Sequence, residues 1–221
     1  MVKRTPAAPT NAGASRRGRP RTEERPERRQ RVIDAAFEEL IEHGYEKLTM
    51  LGIARRAGAS KETLYSWFGN RGGLFAALIE ANADASAERV TAALEGDADP
   101  RETLVGYATG LLTLLTSPQS VALNRASMSS PELAEILLRS GRHRIGPIVE
   151  AYLTRLMTDG VLATTDPAEA FTLLYGLVIQ DTQIRVLLGE PPPRPKAIRT
   201  RAAAAVDRFL QLTQPVRSTP A

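Results

Sequence analysis

Residues Thr49 to Phe68, TMLGIARRAGASKETLYSWF, constrain this chain more than any other stretch. The spacing predicts one short helix, a tight turn at Gly58-Ala59-Ser60, and a second short helix that starts again with no linker. Two helices joined by a turn of about three to four residues containing Gly describe a helix-turn-helix, whose second helix is shaped to lie in a DNA major groove. Leu64 and Phe68, four apart, face inward and hold that helix down. Lys61, Glu62, Thr63, Tyr65, Ser66 and Trp67 face outward, and all carry groups able to touch phosphates or base edges. Tyr65 and Trp67 have a second reading, as packing aromatics that are partly buried.

Charge supports a nucleic-acid partner. The net charge is only +4, but residues 1–31 hold ten basic side chains against three acidic ones, leaving residues 32–221 at −3. The first 22 residues are rich in Pro, Ala, Gly and Arg and cannot bury enough apolar area to fold alone. Within them, RRGRPR places Arg16, Arg17, Arg19 and Arg21 on an extended arm. Arg-Gly-Arg-Pro resembles the core of the AT-hook, and such an arm suits the negative potential of a narrow A·T minor groove. Simple attraction to phosphates, or a solvated tail with no partner, are the alternatives.

Elsewhere the chain reads as helix throughout, with no convincing alternating run. A first helix over Pro26–His43 carries Val32, Ala36 and Leu40 in one row and Ile33, Phe37 and Ile41 beside it, and Gly44 ends it. Thr49 caps a second helix over Met50–Ala57, Ser60 the third, and Asn70 a fourth running to about Leu94. Apolar spacing gives further helices around Leu104–Leu114, from Pro131, and through Val149–Leu156. Gly146-Pro147 must kink or break the chain between the last two. A single long segment follows from Pro167 to Leu188, spanning roughly 33 Å at the helical rise. After Pro191–Pro195 a last helix carries Ile198, Val206 and Phe209. The expectation is an all-α chain of about nine helices. A basic arm fills residues 1–25, a three-helix DNA-binding domain 26–73, an effector-binding and dimerisation domain 74–213, and a tail 214–221.

The 221 residues, 43% of them hydrophobic, suit one moderate domain plus a small one. With no cysteine, disulfides and thiolate chemistry are excluded and a reducing compartment fits best. No apolar run of about 18 residues suggests a membrane span, and the basic N-terminus lacks the apolar core of a secretory signal, so a cytoplasmic location is expected. The two histidines, His43 and His143, lie on separate segments, and no spacing suggests a nucleophile, metal site or cofactor. An enzyme is therefore not expected.

Residues Arg31 to Leu78 resemble the TetR family of one-component bacterial transcriptional repressors. The matching pieces are VIDAAFEELIEHGYEKLTM, IARRAGASKETLYSWF and GNRGGLFAAL. The resemblance implies that Thr49 donates to a phosphate and that Ser60, Lys61, Glu62 and Thr63 open the recognition helix. It further implies that Tyr65 and Trp67 meet the backbone or thymine methyls. Arg71-Gly72 stands where the family usually has Lys-Glu, and arginine keeps the phosphate anchor with fork geometry. Beyond Glu80 only the architecture is similar, with Asp166–Leu188 as the penultimate helix that pairs with the last across a twofold axis. The implied protein is a homodimer on a palindromic operator of double-stranded DNA, released by a small-molecule inducer.

Elementary chemistry agrees with those roles. Helix starts at Thr49, Ser60 and Asn70 offer unpaired N–H groups to phosphates. Lys61 can bond guanine O6 or N7, or a phosphate, and Glu62 can accept from cytosine N4 or simply face solvent. In the C-terminal domain Tyr107, Arg125, Met128, His143, Tyr175 and Gln180 interrupt or enrich apolar helical regions and are the candidate effector contacts. Few aromatics among many Leu, Ala and Val favour an apolar or amphipathic effector. An activator of the same family and a nonspecific nucleoid protein are the competing functions.

Overall fold

The computed structural model describes residues 24–95, 98–163 and 166–214. Eleven helices run through them: α1 (Glu24–His43), α2 (Met50–Ala57), α3 (Lys61–Phe68), α4 (Arg71–Leu94), α5 (Pro100–Leu115), α6 (Pro118–Met128), α7 (Pro131–Ser140), α8 (Arg142–Thr158), α9 (Pro167–Ile179), α10 (Thr182–Leu187) and α11 (Pro195–Thr213). There is no strand among the described residues, as the all-α reading expects.

Two apolar cores organise the bundle. The first collects Val32, Ile33, Ala36 and Leu40 of α1, Ile53 of α2, Leu64 and Phe68 of α3, and Leu74, Phe75 and Leu78 of α4. The buried stripe of α1 is narrower than its spacing suggests: Ile41 is 42% exposed. Leu123 and Ala126 of α6 and Leu133 of α7 complete this core, so the C-terminal helices pack directly on the N-terminal helices. The second core lies between α5, α8, α9 and α11, around Leu104, Tyr107, Leu153, Leu174, Val206 and Phe209. The long α4 belongs to both, through Phe75 and Leu78 at one end and Leu94 at the other.

Three elements differ from the sequence expectation. Helix α6 occupies a stretch that spacing left unassigned; Ser117 caps it, accepting from the Ser120 N–H, and Pro118 fills its first position. Gly146-Pro147 does not break the chain. Helix α8 runs through Pro147, and the interruption falls at Gly141, whose N–H closes α7 on the Leu137 carbonyl. The segment read as one 33 Å helix is two, divided at Gln180, where φ is +46°. A non-glycine residue rarely adopts that backbone, and tertiary ties maintain it here. Arg125 donates to the Leu187 and Val186 carbonyls at 3.0 and 3.2 Å, and Arg201 donates to Thr182 Oγ1, so α10 is held off the axis of α9.

Candidate nucleic-acid interface

Three successive helices start on side-chain caps. Thr49 Oγ1 accepts from the Gly52 N–H at 3.1 Å, Ser60 Oγ from the Thr63 N–H at 3.1 Å, and Asn70 Oδ1 from the Gly73 N–H at 2.9 Å. Each cap satisfies one orphan donor and leaves others of the first turn facing solvent. Gly58, at φ +62°, makes the turn between α2 and α3 in a left-handed conformation that suits glycine. Gly73 answers a different need. A Cβ there would lie 2.1 Å from the Phe68 carbonyl oxygen, so only glycine lets α4 start this close to the end of α3.

The face of α3 divides as its spacing predicts. Leu64 is fully buried and Phe68 is nearly so, while Lys61, Glu62 and Tyr65 are exposed. Thr63 is half-buried, its hydroxyl 3.0 Å from Ser60 Oγ. Trp67, expected outward, is half-buried against the first core and meets Phe68 edge-on, with ring centroids 6.3 Å apart. Tyr65 is therefore the freer aromatic, and the Lys61 ammonium stands 5.5 Å above its ring. The Glu62 carboxyl is held below the ordinary carboxylate range by its own backbone N–H and then by Ser60. It stays an acceptor-only group at neutral pH, as a contact to an amino group of a base requires.

Cations flank this face. Arg71, at the first position of α4, stacks 4.4 Å over the Tyr45 ring and donates to the Tyr45 carbonyl at 3.4 Å. Tyr45 in turn packs edge-on against Phe75, so the guanidinium sits on a platform anchored in the core. Arg29 of α1 lies 5.2 Å over the Phe68 ring, at the end of α3. Arg29 sits in a run of charges in the sequence, and only the fold brings it beside α3. Arg56 has another job. It donates to Glu38, Glu39 and Glu42 and ties α2 to α1. Arg16, Arg17, Arg19 and Arg21 lie outside the described residues.

The six candidate effector contacts do not converge on one place. Tyr107 is 2% exposed in the second core, and its hydroxyl has no hydrogen-bond partner. Such an orphan costs about 1–3 kcal/mol. Burial first, then the neighbouring Tyr175, push the Tyr107 hydroxyl to a raised pKa, against the opposing charge of Arg142. Tyr175, half-buried, meets Phe171 edge-on, and burial raises its pKa too. Arg125 is occupied at the end of α10, Met128 is 66% exposed, and His143 is exposed on the first turn of α8. Gln180 borders a groove of about 650 Å³ between α9 and α11, together with Leu177, Arg201 and Arg208. No group of acidic, histidine or cysteine side chains among the described residues is arranged to hold a metal ion. No helix among them is long and apolar enough to cross a membrane.

Comparison with known proteins agrees along most of the chain. Residues 32–78 match the model for bacterial regulatory proteins of the tetR family, and residues 102–212 match the C-terminal domain of AefR-like transcriptional repressors. The HTH-type transcriptional regulator YdeS of Bacillus subtilis (strain 168) is 30% identical over 124 residues, covering 55% of this chain and 59% of that protein. The fatty acid metabolism regulator protein of the same strain is 29% identical over 131 residues, covering 59% and 64%. Both matches fall short of two thirds of the relative's length. A crystal structure of a TetR transcriptional regulator from Agrobacterium tumefaciens is 34% identical, with a TM-score of 0.70 and coverage of 86% of this chain and 96% of that one. With capped helices presenting Lys61, Glu62 and Tyr65 at one end and a matching helical C-terminal domain at the other, this chain belongs to the TetR family of transcriptional regulators.

Proposed function

We propose that the protein is a ligand-responsive repressor that binds a palindromic operator as a homodimer and leaves it when a small molecule occupies the C-terminal domain. The observation that carries the reading is the α3 face, where Lys61, Glu62 and Tyr65 are exposed between capped helix starts. Thr49, Ser60 and Asn70 offer N–H groups to phosphates on either side, with Arg71 and Arg29 as flanking cations. In this reading Trp67 touches the backbone with its outer edge, and Arg16, Arg17, Arg19 and Arg21 follow the adjacent minor groove.

One recognition helix of eight residues makes few base contacts, so specificity needs a second copy about 34 Å away, or a multiple of that. The proposed twofold surface is the outer side of α9 and α11. Leu173 there is 37% exposed, Gly176, Ala197, Thr200 and Ala204 are small and exposed, and a groove lies beside Leu177. Small residues let two helices approach closely, and a self-complementary patch closes a dimer.

The effector is proposed to be apolar or amphipathic, since the second core is built chiefly of Leu, Ala and Val. The relative that regulates fatty acid metabolism is consistent with that class. Release follows if the effector favours a state in which α4, or the α6–α7 pair packed on the reading head, has shifted. About 1–3 kcal/mol of differential affinity is the usual scale. The test is selection of duplexes from a random library with the full chain, followed by footprinting. An inverted repeat protected over two half-sites is the expected outcome. Uniform coating of any duplex, or a monomer by light scattering at micromolar concentration, would overturn the reading.

A further inference from the structure

The groove between α9 and α11 holds more positive charge than the fold answers. Arg194, Lys196, Arg201 and Arg208 line it, and no carboxylate does. Arg194, Arg201 and Arg208 stand seven apart, a spacing that returns each to nearly the same helical face over about 20 Å. Ala197 and Ala204 lie between them, small enough to leave a trough, and Leu177 and Gln180 of α9 line its other side. Its volume, about 650 Å³, is that of a small-molecule site. The nearest carboxylates along the chain are already taken. Asp181 and Glu190 both pair with Arg185, and Asp207 accepts from Arg101 at 2.6 and 3.0 Å. Neither Arg185 nor Arg101 lines the groove. Arg201 is fixed by its hydrogen bond to Thr182 Oγ1, a neutral partner that leaves its charge unanswered. The side chains of Arg194, Lys196 and Arg208 are exposed and have no hydrogen-bond or ionic partner among the described residues. Neither α9 nor α11 enters the core of the reading head, so this charge is separate from the cations that flank α3. Like charges in one trough repel, and a multivalent anion relieves that repulsion at several points at once.

We infer that this groove is a binding site for a linear oligophosphate, either free or carried by a nucleoside. Guanidinium forks match phosphate oxygens in pairs, and three of them with one ammonium along a trough suit a chain of phosphates better than one isolated anion. The long side chains can close inward on an anion shorter than the stripe. The groove opens on the surface proposed above for the twofold axis. The site stands apart from that reading, and only a consequence for pairing rests on it. Two copies joined there would set their cations face to face, and bound anions would tighten the pair.

Sodium tripolyphosphate, ATP and sulfate are the probes, each titrated calorimetrically into the full chain at one ionic strength in metal-free buffer. Tripolyphosphate is expected to bind at one site per chain, at least tenfold tighter than sulfate. ATP binding as tightly or tighter upholds the nucleoside-borne form, and weaker ATP binding upholds the free chain. Arg194→Gln and Arg208→Gln should each weaken tripolyphosphate binding at least fivefold and leave the melting temperature unchanged, since neither side chain has a partner to lose. Basic residues elsewhere attract anions too. The controls are therefore the pair Arg16→Gln and Arg17→Gln, and Arg199→Gln, which is exposed on α11 outside the groove. Their affinities should match the parent's. Sulfate as tight as tripolyphosphate, no binding, or controls as weak as the groove variants would overturn the site. So would a random duplex whose binding falls as far in Arg208→Gln, since the groove would then take a nucleic-acid backbone. Tripolyphosphate that binds as expected yet splits the dimer in light scattering upholds the site and overturns the twofold surface assigned to α9 and α11 instead.

Discussion

The two cores of this molecule are finished to different standards. In the reading head, α2, α3 and α4 each begin on a side-chain acceptor, and Arg56 satisfies three carboxylates at once. In the C-terminal part α5, α6, α7 and α9 are capped, but α8, α10 and α11 begin with no side-chain cap, Gln180 has a positive φ, and the buried Tyr107 and Ser127 hydroxyls have no partner. A part that must present fixed atoms to a rigid duplex gains from having one shape. On the proposed function, a part that answers a small molecule gains from groups whose needs are met only in another state. The contact between them is direct, since Leu123, Ala126 and Leu133 of α6 and α7 sit in the core of the head.

The comparison breaks most readily at Gly73. Gly73→Ala sets a methyl group 2.1 Å from the Phe68 carbonyl oxygen, and the α3–α4 junction must open. A loss of about 3 kcal/mol, near the top of the usual range for one substitution, is expected in chemical denaturation, with operator binding abolished. A variant as stable as the parent would show the head to be more pliable than its caps suggest. Lys61→Ala comes next. It touches no core residue, so stability should hold while affinity falls at least about tenfold in a titration at fixed salt, within the about 1–3 kcal/mol of a good base contact. Unchanged affinity would remove Lys61 from the interface.

Ser60 separates folding from reading within one side chain. Ser60→Ala removes the acceptor for the Thr63 N–H and should cost about 1 kcal/mol. Ser60→Asp keeps an acceptor and places a negative charge where a phosphate is proposed to sit. Its melting temperature should match the parent's while its DNA affinity falls below that of Ser60→Ala. The reverse order of affinities would mean that no phosphate approaches this helix start.

The head was legible in the sequence because its determinants are local. Thr49, Ser60 and Asn70 announce their helices, Gly58 announces the turn, and Leu64 and Phe68 sit at the spacing of one buried face. Local signals misled wherever tertiary contacts decided. Gly146-Pro147 carries a strong breaking signal, yet α8 runs through it and the break falls at Gly141 instead. No glycine or proline stands at Gln180 to mark the interruption, and the ties that hold α10 beyond it, from Arg125 and Arg201, come from remote positions in the sequence. Among the candidate site residues, the exposure of Lys61, Glu62 and Tyr65 follows from helical phase alone. The placement of Arg29 does not, since its aromatic partner Phe68 comes from another helix.

The smallest effect tests whether the polar tie between α1 and α2 belongs to the rigidity of the head. Glu42 is held below its ordinary value of 4.5, first by its hydrogen bond from Arg56. A carboxyl whose pKa falls on folding adds stability above its unfolded value, and that stability is lost as pH drops through the lower folded value. Glu42→Gln should therefore melt slightly below the parent at pH 7, and the gap should close as pH falls below about 4.5, where the unfolded carboxyl takes up its proton first. The groups are exposed, so screening keeps the gap small and added salt should narrow it further. No gap at any pH would mean that Arg56 leans on Glu38 and Glu39 alone, and that the caps, not the Glu42 contact, give the reading head its single shape.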